Sequence, residues 1–406
     1  MLKKMVLHIG GVSVVLIAIM MFAAFTSILL GRTLSKEEFG EFSLMRTLVL
    51  FIAPLAVWGQ DIATARFFSK NDASRYRWSQ ALRTIMSIGA PITVVAIVLV
   101  AFVYDISYSR LAALLLASLA YLSTLFFSNL VRSRQRYGQA ILMLNGFRGA
   151  FFLVACLLFS MKSMTANPAI LSYYGLIVLW ALFNARYAFR HIEQGSEPVP
   201  RQMHTTGLLF MGSQASTTLI GSLDSLLIPA LLDLSSLALY QAAIVPAQIF
   251  NILGHASKYV WVPEFGRSMA VQTKKLSLLV ALVALLMLTA MVIAAKPILH
   301  IMFAGKYDHG AAVLQILVVA GAIRLLYNLS SSIITGRMAA DALGWHLGIT
   351  FSMVLVEVGL LFLLLKNFGV IGAAVTMLVV TALRTVGSYI LLYKFRHQLR
   401  DAGSTQ

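Results

Sequence analysis

The chain has a single cysteine, Cys156, so no internal disulfide can brace it. Only 15 of its 406 residues are acidic and 12% are charged, against about 25% in soluble domains. That scarcity leaves no room for a large water-exposed domain. No glycine-rich loop ends in Gly-Lys-Ser/Thr, which speaks against ATP hydrolysis by this chain. No metal site or bound cofactor is expected.

Apolar residues fill the gap, at 59% of the chain with a mean hydropathy of +0.85. A helical membrane crossing needs about 20 mostly apolar residues. About twelve such runs can be read, over 8–30, 42–64, 78–103, 110–131, 139–160, 168–189, 206–232, 238–262, 276–299, 311–335, 343–365 and 370–393. They are continuous rather than alternating, so they predict helices and not barrel strands. The first run follows Lys3 and Lys4, is too long for a typical signal core, and is read as a retained helix. The expected fold is an all-α integral membrane protein.

Lysine and arginine set the orientation. With the N-terminus in the cytoplasm, 19 of the 32 cations fall in cytoplasmic connections and 7 on the opposite side. Both termini are therefore expected to be cytoplasmic. The formal charge of +17 is mostly this topology signal, with contact to anionic lipids second. No nucleic-acid partner is needed to explain it.

Twelve helices divide into two sixes. The turn Leu34-Ser35-Lys36-Glu37-Glu38-Phe39-Gly40 has a weak echo 200 residues later in Leu234-Ser235-Ser236-Leu237-Ala238-Leu239-Tyr240. Six helices per half makes the halves parallel repeats around a central cavity. The polar linker at about 190–205, with Gly195, Pro198 and Pro200, places the junction, giving lobes 1–195 and 196–406.

Polar stripes at helical spacing mark faces that avoid lipid. The eighth run carries Gln241, Gln248, Asn251, His255 and Lys258, and the tenth carries Gly321, Arg324, Asn328, Ser331 and Thr335. Arg148, Arg324 and Arg384 lie near the middle of their runs. A guanidinium at bilayer depth costs about 2.5–3.5 kcal/mol on insertion scales, so it faces water or a partner. Arg46, Arg83 and Lys258 lie nearer run ends, where cations can snorkel. Against six cations within the runs stand three acids, Asp61, Asp224 and Glu357. The surplus suits an anionic cargo, with Arg148, Arg324 and Arg384 as first contacts and Lys258, His255, Asn251 and Asn328 as further ones. Asp224, Glu357 and Asp61 are the candidate coupling or gating acids, for a proton or sodium gradient. The bland alternative pairs Arg324 or Arg384 with Glu357 or Asp224 for packing.

Leu30-Gly31-Arg32-Thr33-Leu34-Ser35-Lys36-Glu37-Glu38-Phe39-Gly40-Glu41-Phe42 resembles the first-turn signature of polysaccharide-exporting flippases. The likeness continues through Ala53-Pro54-Leu55, Gly59-Gln60-Asp61 and Ala65-Arg66-Phe67. Phe303-Ala304-Gly305-Lys306-Tyr307 and Gly369-Val370-Ile371-Gly372-Ala373-Ala374 resemble the family's later turns, in order. The chain thus resembles the polysaccharide transporter branch of the multidrug/oligosaccharidyl-lipid/polysaccharide flippase superfamily. The resemblance implies a MATE-like pair of six-helix lobes in a bacterial inner membrane. It implies alternating access and a cargo of undecaprenyl-diphosphate-linked oligosaccharide, an O-antigen repeat or similar. A polysaccharide polymerase and a chain-length regulator are the implied partners, and the chain is expected to be a monomer. No acid occupies the first run, so the cation site of drug-exporting relatives is absent there. Three alternatives remain: a cation-coupled multidrug exporter, a lipid II flippase, whose pattern has two more helices, and a membrane polysaccharide polymerase or glycosyltransferase.

Overall fold

The computed structural model describes residues 2–68, 76–267, 273–338 and 340–395. Among them every regular element is helical, apart from one isolated bridge between Tyr76 and Glu197. In chain order the helices are α1 (Leu2–Thr33), α2 (Lys36–Ala56), α3 (Gln60–Phe67), α4 (Trp78–Val103), α5 (Tyr108–Ser133), α6 (Tyr137–Ser160) and α7 (Ala166–His191). There follow α8 (Arg201–Ile220), α9 (Leu223–Leu231), α10 (Leu234–Arg267), α11 (Thr273–Ile293), α12 (Ala295–Phe303), α13 (Ala311–Arg337) and α14 (Ala340–Lys394). Ten helical segments among the described residues are long and apolar enough to cross a membrane. The last of these holds two of the expected runs, because Gly369 (φ 55°, ψ −140°) turns the chain inside α14. Only glycine adopts that backbone readily.

Three runs expected to be continuous are broken. The second splits between α2 and α3, where Pro54 precedes Trp58 (φ 42°) and Gly59 (φ 74°). The seventh splits at Gly221–Ser222 between α8 and α9. The ninth splits at Ala294 between α11 and α12.

Local chemistry explains the quoted turns. Ser35 and Glu38 form a reciprocal capping box at the head of α2, each side chain bonding the other's backbone N–H. Glu38 also accepts from the Ala166 N–H and so steadies the start of α7. At the echoing turn the capping side chain is Asp233, which accepts from Ser236 N–H at 2.7 Å. In the Phe303–Tyr307 turn, Ala304 and Gly305 have positive φ, and Tyr307 is buried edge-on against Phe303. His300 Nδ1 lies 2.9 Å from the Asp308 carboxylate across that turn.

The chain forms two compact units, Gly10–Leu226 and Leu227–Gln406 with Met1–Ile9. In the first, α5 is central, packed against α2, α3, α4, α6 and α7. Phe42, Phe147, Phe151 and Tyr173 pack ring to ring there, with Phe42 and Phe151 stacked at 5.6 Å. Such pairs contribute about 0.5–1.5 kcal/mol each beyond area burial. The linker after α7 is pinned to the head of α4. Trp78 Nε1 donates to the Ile192 carbonyl, Ser79 Oγ to Gln194, and Arg77 N–H to the Glu197 carbonyl. Beyond the linker, α8 packs on α2 and α3. In the second unit α13 is central, flanked by α10, α11 and α14. Gly254 and Gly321 let α10 and α13 approach closely: a Cβ on Gly254 would lie 2.0 Å from Asn328 Nδ2, and one on Gly321 would lie 2.8 Å from the Phe250 ring.

Candidate functional site

In the first unit, α2 and α6 bring two guanidiniums into one cluster. Arg148 neighbours Tyr121 of α5, and both Arg148 and Arg46 act electrostatically on Tyr173 of α7. Arg46 and Arg148 are themselves electrostatic neighbours. Arg46 Nη1 also donates to Ser27 Oγ at 3.1 Å and lies 5.8 Å from the Phe42 ring. A phenol is neutral at pH 7, so Tyr121 and Tyr173 do not themselves cancel the charge of these cations. Asp61 reaches the same cluster through its electrostatic effect on Tyr121. It is buried at the first turn of α3, with Asn129 Nδ2 3.4 Å from Oδ2.

The break between α2 and α3 meets α8. Gln60 Nε2 donates to the His204 carbonyl at 3.0 Å, while Gln60 Oε1 lies 3.2 Å from His204 Nδ1. The Trp58 ring stacks on the imidazole, 6.2 Å between centroids. His204 stands in the first turn of α8, ahead of the run that begins at 206, and burial lowers its pKa from 6.5. Asp224, buried at the head of α9, accepts from the Ser225 N–H at 2.6 Å.

In the second unit the predicted stripes of α10 and α13 meet. Arg324 Nη1 donates to Asn251 Oδ1 at 2.9 Å, and Asn328 lies against Gly254. Arg384 Nη2 donates to Tyr327 Oη at 2.8 Å, with its guanidinium carbon 4.4 Å from the ring centroid. His346 of α14 stacks on the Tyr327 ring at 6.0 Å between centroids, and Ser331 lies 3.4 Å from its Nε2. Glu357 is buried on α14. The side chains of His255 and Lys258 lie outside the described residues.

The structure therefore joins Arg148 to Arg46, which sequence position alone left as an end-of-run cation. It also supplies Tyr121, Tyr173, Tyr327 and His346, none of which the stripes singled out. A signal for Tyr327 was available, because it precedes Asn328 and follows Arg324 by three residues on α13.

The described residues thus combine helices long and apolar enough to cross a bilayer, broken at defined points, with arginines bonded to polar side chains within them. The polysaccharide biosynthesis protein family matches residues 8–269, and the chain belongs to it. No curated protein matches the chain. Solved structures share the fold at low identity. A lipid II flippase, MurJ, in an inward closed conformation, is similar with a TM-score of 0.70 at 10% identity, over 97% of this chain and 89% of that one. An inward-facing multidrug resistance MATE family transporter of the MOP superfamily is similar at 0.65 and 11% identity, over 97% and 99%. A Vibrio cholerae MATE transporter, VcmN, is similar at 0.62 and 13%, over 97% of each chain. The chain therefore shares its fold with a lipid II flippase and with MATE transporters.

Proposed function

We propose that this protein flips an undecaprenyl-diphosphate-linked oligosaccharide, an O-antigen repeat unit or a similar surface glycan, from the cytoplasmic to the periplasmic leaflet. Family membership supports a role in polysaccharide biosynthesis, and the fold supports movement across the membrane. The observation that carries the reading is the nearness of Arg46 and Arg148, which share Tyr173 as a neighbour. Two neighbouring cations favour an anion, and a diphosphate presents one. A water-poor site strengthens that attraction well beyond its value in bulk water.

Alternating access to a cationic cavity would move the cargo, with Arg324, Asn251, Asn328 and Arg384 contacting its polar groups. Asp61 is the best placed coupling acid, since Tyr121 links it to the arginine pair. Proton exchange or sodium binding at Asp61 would then alter the field felt by the cargo. The 19-to-7 cation asymmetry supports cytoplasmic termini in an inner membrane.

The test is translocation of a lipid-linked oligosaccharide in proteoliposomes under imposed proton or sodium gradients. Flipping by the wild type that is lost in Arg148→Gln and Arg384→Gln, with folding intact, is the expected result. Export of cationic drugs without glycan flipping would overturn it in favour of a multidrug exporter.

A further inference from the structure

The ends of α5 and α7 and the start of α6 enclose a pocket of about 290 Å³. Its polar wall is Arg134, Arg136, Tyr187, His191 and Glu193. Val131 and Ile192 supply the apolar part. Arg134 caps α5 and is half-buried, and its Nε is enclosed with no hydrogen-bond partner. A buried guanidinium N–H without an acceptor is costly, on the order of 1–3 kcal/mol, so the site is short of one acceptor. Arg136 is held in place from the other side. Its Nη1 donates to Tyr187 Oη at 3.1 Å, Tyr187 in turn donates to Gln139 at 2.9 Å, and the Tyr187 ring rests 4.7 Å from His191. The first turn of α6 begins at Tyr137, so its free N–H groups add partial positive charge beside Arg136.

Glu193 and Arg136 both act electrostatically on Arg134. One carboxylate against two guanidiniums leaves the pocket cationic. Exposed Arg132 and Arg190 add to the field at this end. Phe183, one helical turn before Tyr187 on the same face, is 56% exposed. Small-molecule pockets run about 300–1,000 Å³, so this one admits a phosphodiester headgroup and not an oligosaccharide.

The geometry points to a binding site for the phosphoryl headgroup of an anionic membrane lipid, held by Arg134 and Arg136 with an acyl chain along the Phe183 face of α7. The phosphate supplies the acceptor that Arg134 Nε lacks. The neighbouring apolar surface favours a lipid over free phosphate, which would leave that surface wet. Glu193 tempers the affinity, so that the lipid can exchange.

Native mass spectrometry of the purified protein tests this, with phosphatidylglycerol and phosphatidylcholine as paired probes and inorganic phosphate as a competitor. Retained phosphatidylglycerol in preference to phosphatidylcholine is expected. Loss of one charge-assisted contact should weaken it about tenfold, so exposed Arg136→Gln reduces retention and Arg134→Gln/Arg136→Gln abolishes it. Glu193→Gln should increase retention. Equal retention of both lipids, or unchanged phosphatidylglycerol retention in folded Arg136→Gln and Arg134→Gln/Arg136→Gln, would overturn the site. Displacement of the lipid by millimolar phosphate would overturn its assignment to lipid. None of these readouts depends on glycan flipping, so the site stands or falls apart from the transport proposal.

Discussion

Gln60 and His204 hold α3 and α8 together by two polar contacts, at 3.0 and 3.2 Å, across 144 residues of sequence. The contact is close because two glycines face it. A Cβ on Gly207 would lie 1.7 Å from Gln60 Nε2, and one on Gly59 would lie 2.3 Å from the Gly207 carbonyl oxygen. These two positions differ in what could yield. The Gln60 amide is a flexible side-chain end, whereas the Gly207 carbonyl is backbone, and Gly59 also has φ 74°.

Gly207→Ala should therefore destabilise by about 1–3 kcal/mol, the usual range for overpacking. Adding Gln60→Ala should restore part of the loss, because it removes the clashing atom. Gly59→Ala should lose at least as much and gain nothing from Gln60→Ala. Thermal unfolding of the four variants in detergent would show this, and equal rescue of both glycine variants would contradict the geometry.

The same contact gives a pH dependence. Burial lowers the folded-state pKa of His204 from 6.5, so between the folded and unfolded values the unfolded chain binds more protons. Stability then rises with pH through that window. The contribution is complete above about 6.5 and is lost as pH falls through the folded-state value. Melting temperature measured from pH 8 to 5 should fall more for the wild type than for His204→Gln. Parallel curves would show that the imidazole does not sense the contact.

Periodicity read the helices well because hydrocarbon-facing faces leave a long and unambiguous record. The breaks were harder. Nothing in the apolar pattern at 42–64 marks Trp58 as a turn with positive φ, since the turn is imposed by α8 pressing on Gly59. The stripe of α10 and α13 was legible because Asn251, Arg324 and Asn328 repeat at helical spacing. Arg46 was not, because depth along a helix says nothing about what faces it. Its neighbours Tyr173 and Arg148 come from helices more than 100 residues later. Phenols such as Tyr121 and Tyr327 also escape a search for charge, being apolar in composition and polar at one atom.

Tyr327 carries a separable test. Its hydroxyl accepts from Arg384 at 2.8 Å while its ring lies beneath the guanidinium at 4.4 Å. Tyr327→Phe removes the hydrogen bond and keeps the ring; Tyr327→Leu removes both. A hydrogen bond to a charged group contributes about 1.5–3 kcal/mol, and a cation–π contact about 0.5–2 kcal/mol. Stability should fall in the order wild type, Phe, Leu. Transport should follow the same order if Arg384 must be oriented to meet the cargo. Normal flipping by a destabilised Tyr327→Leu protein would confine the pair to packing.

Arg46 and Arg148 share Tyr173 as an electrostatic neighbour, so their removal should not be additive. Each cation raises the other's energy, which means that neutralising one relaxes the strain on the second. Arg46→Gln and Arg148→Gln should each reduce glycan flipping sharply, and the double variant should be little worse than either. Stability should fall less than for an ordinary buried substitution, because removing one of two like charges relieves the other. Lysine at either position retains charge but not the fork geometry of a guanidinium, so Arg148→Lys should recover part of the flipping if charge alone matters. Proteoliposome flipping and thermal unfolding on the same preparations separate the outcomes. Fully additive losses in flipping would mean that the two arginines meet the cargo independently, one after the other, rather than as a single anion-binding pair.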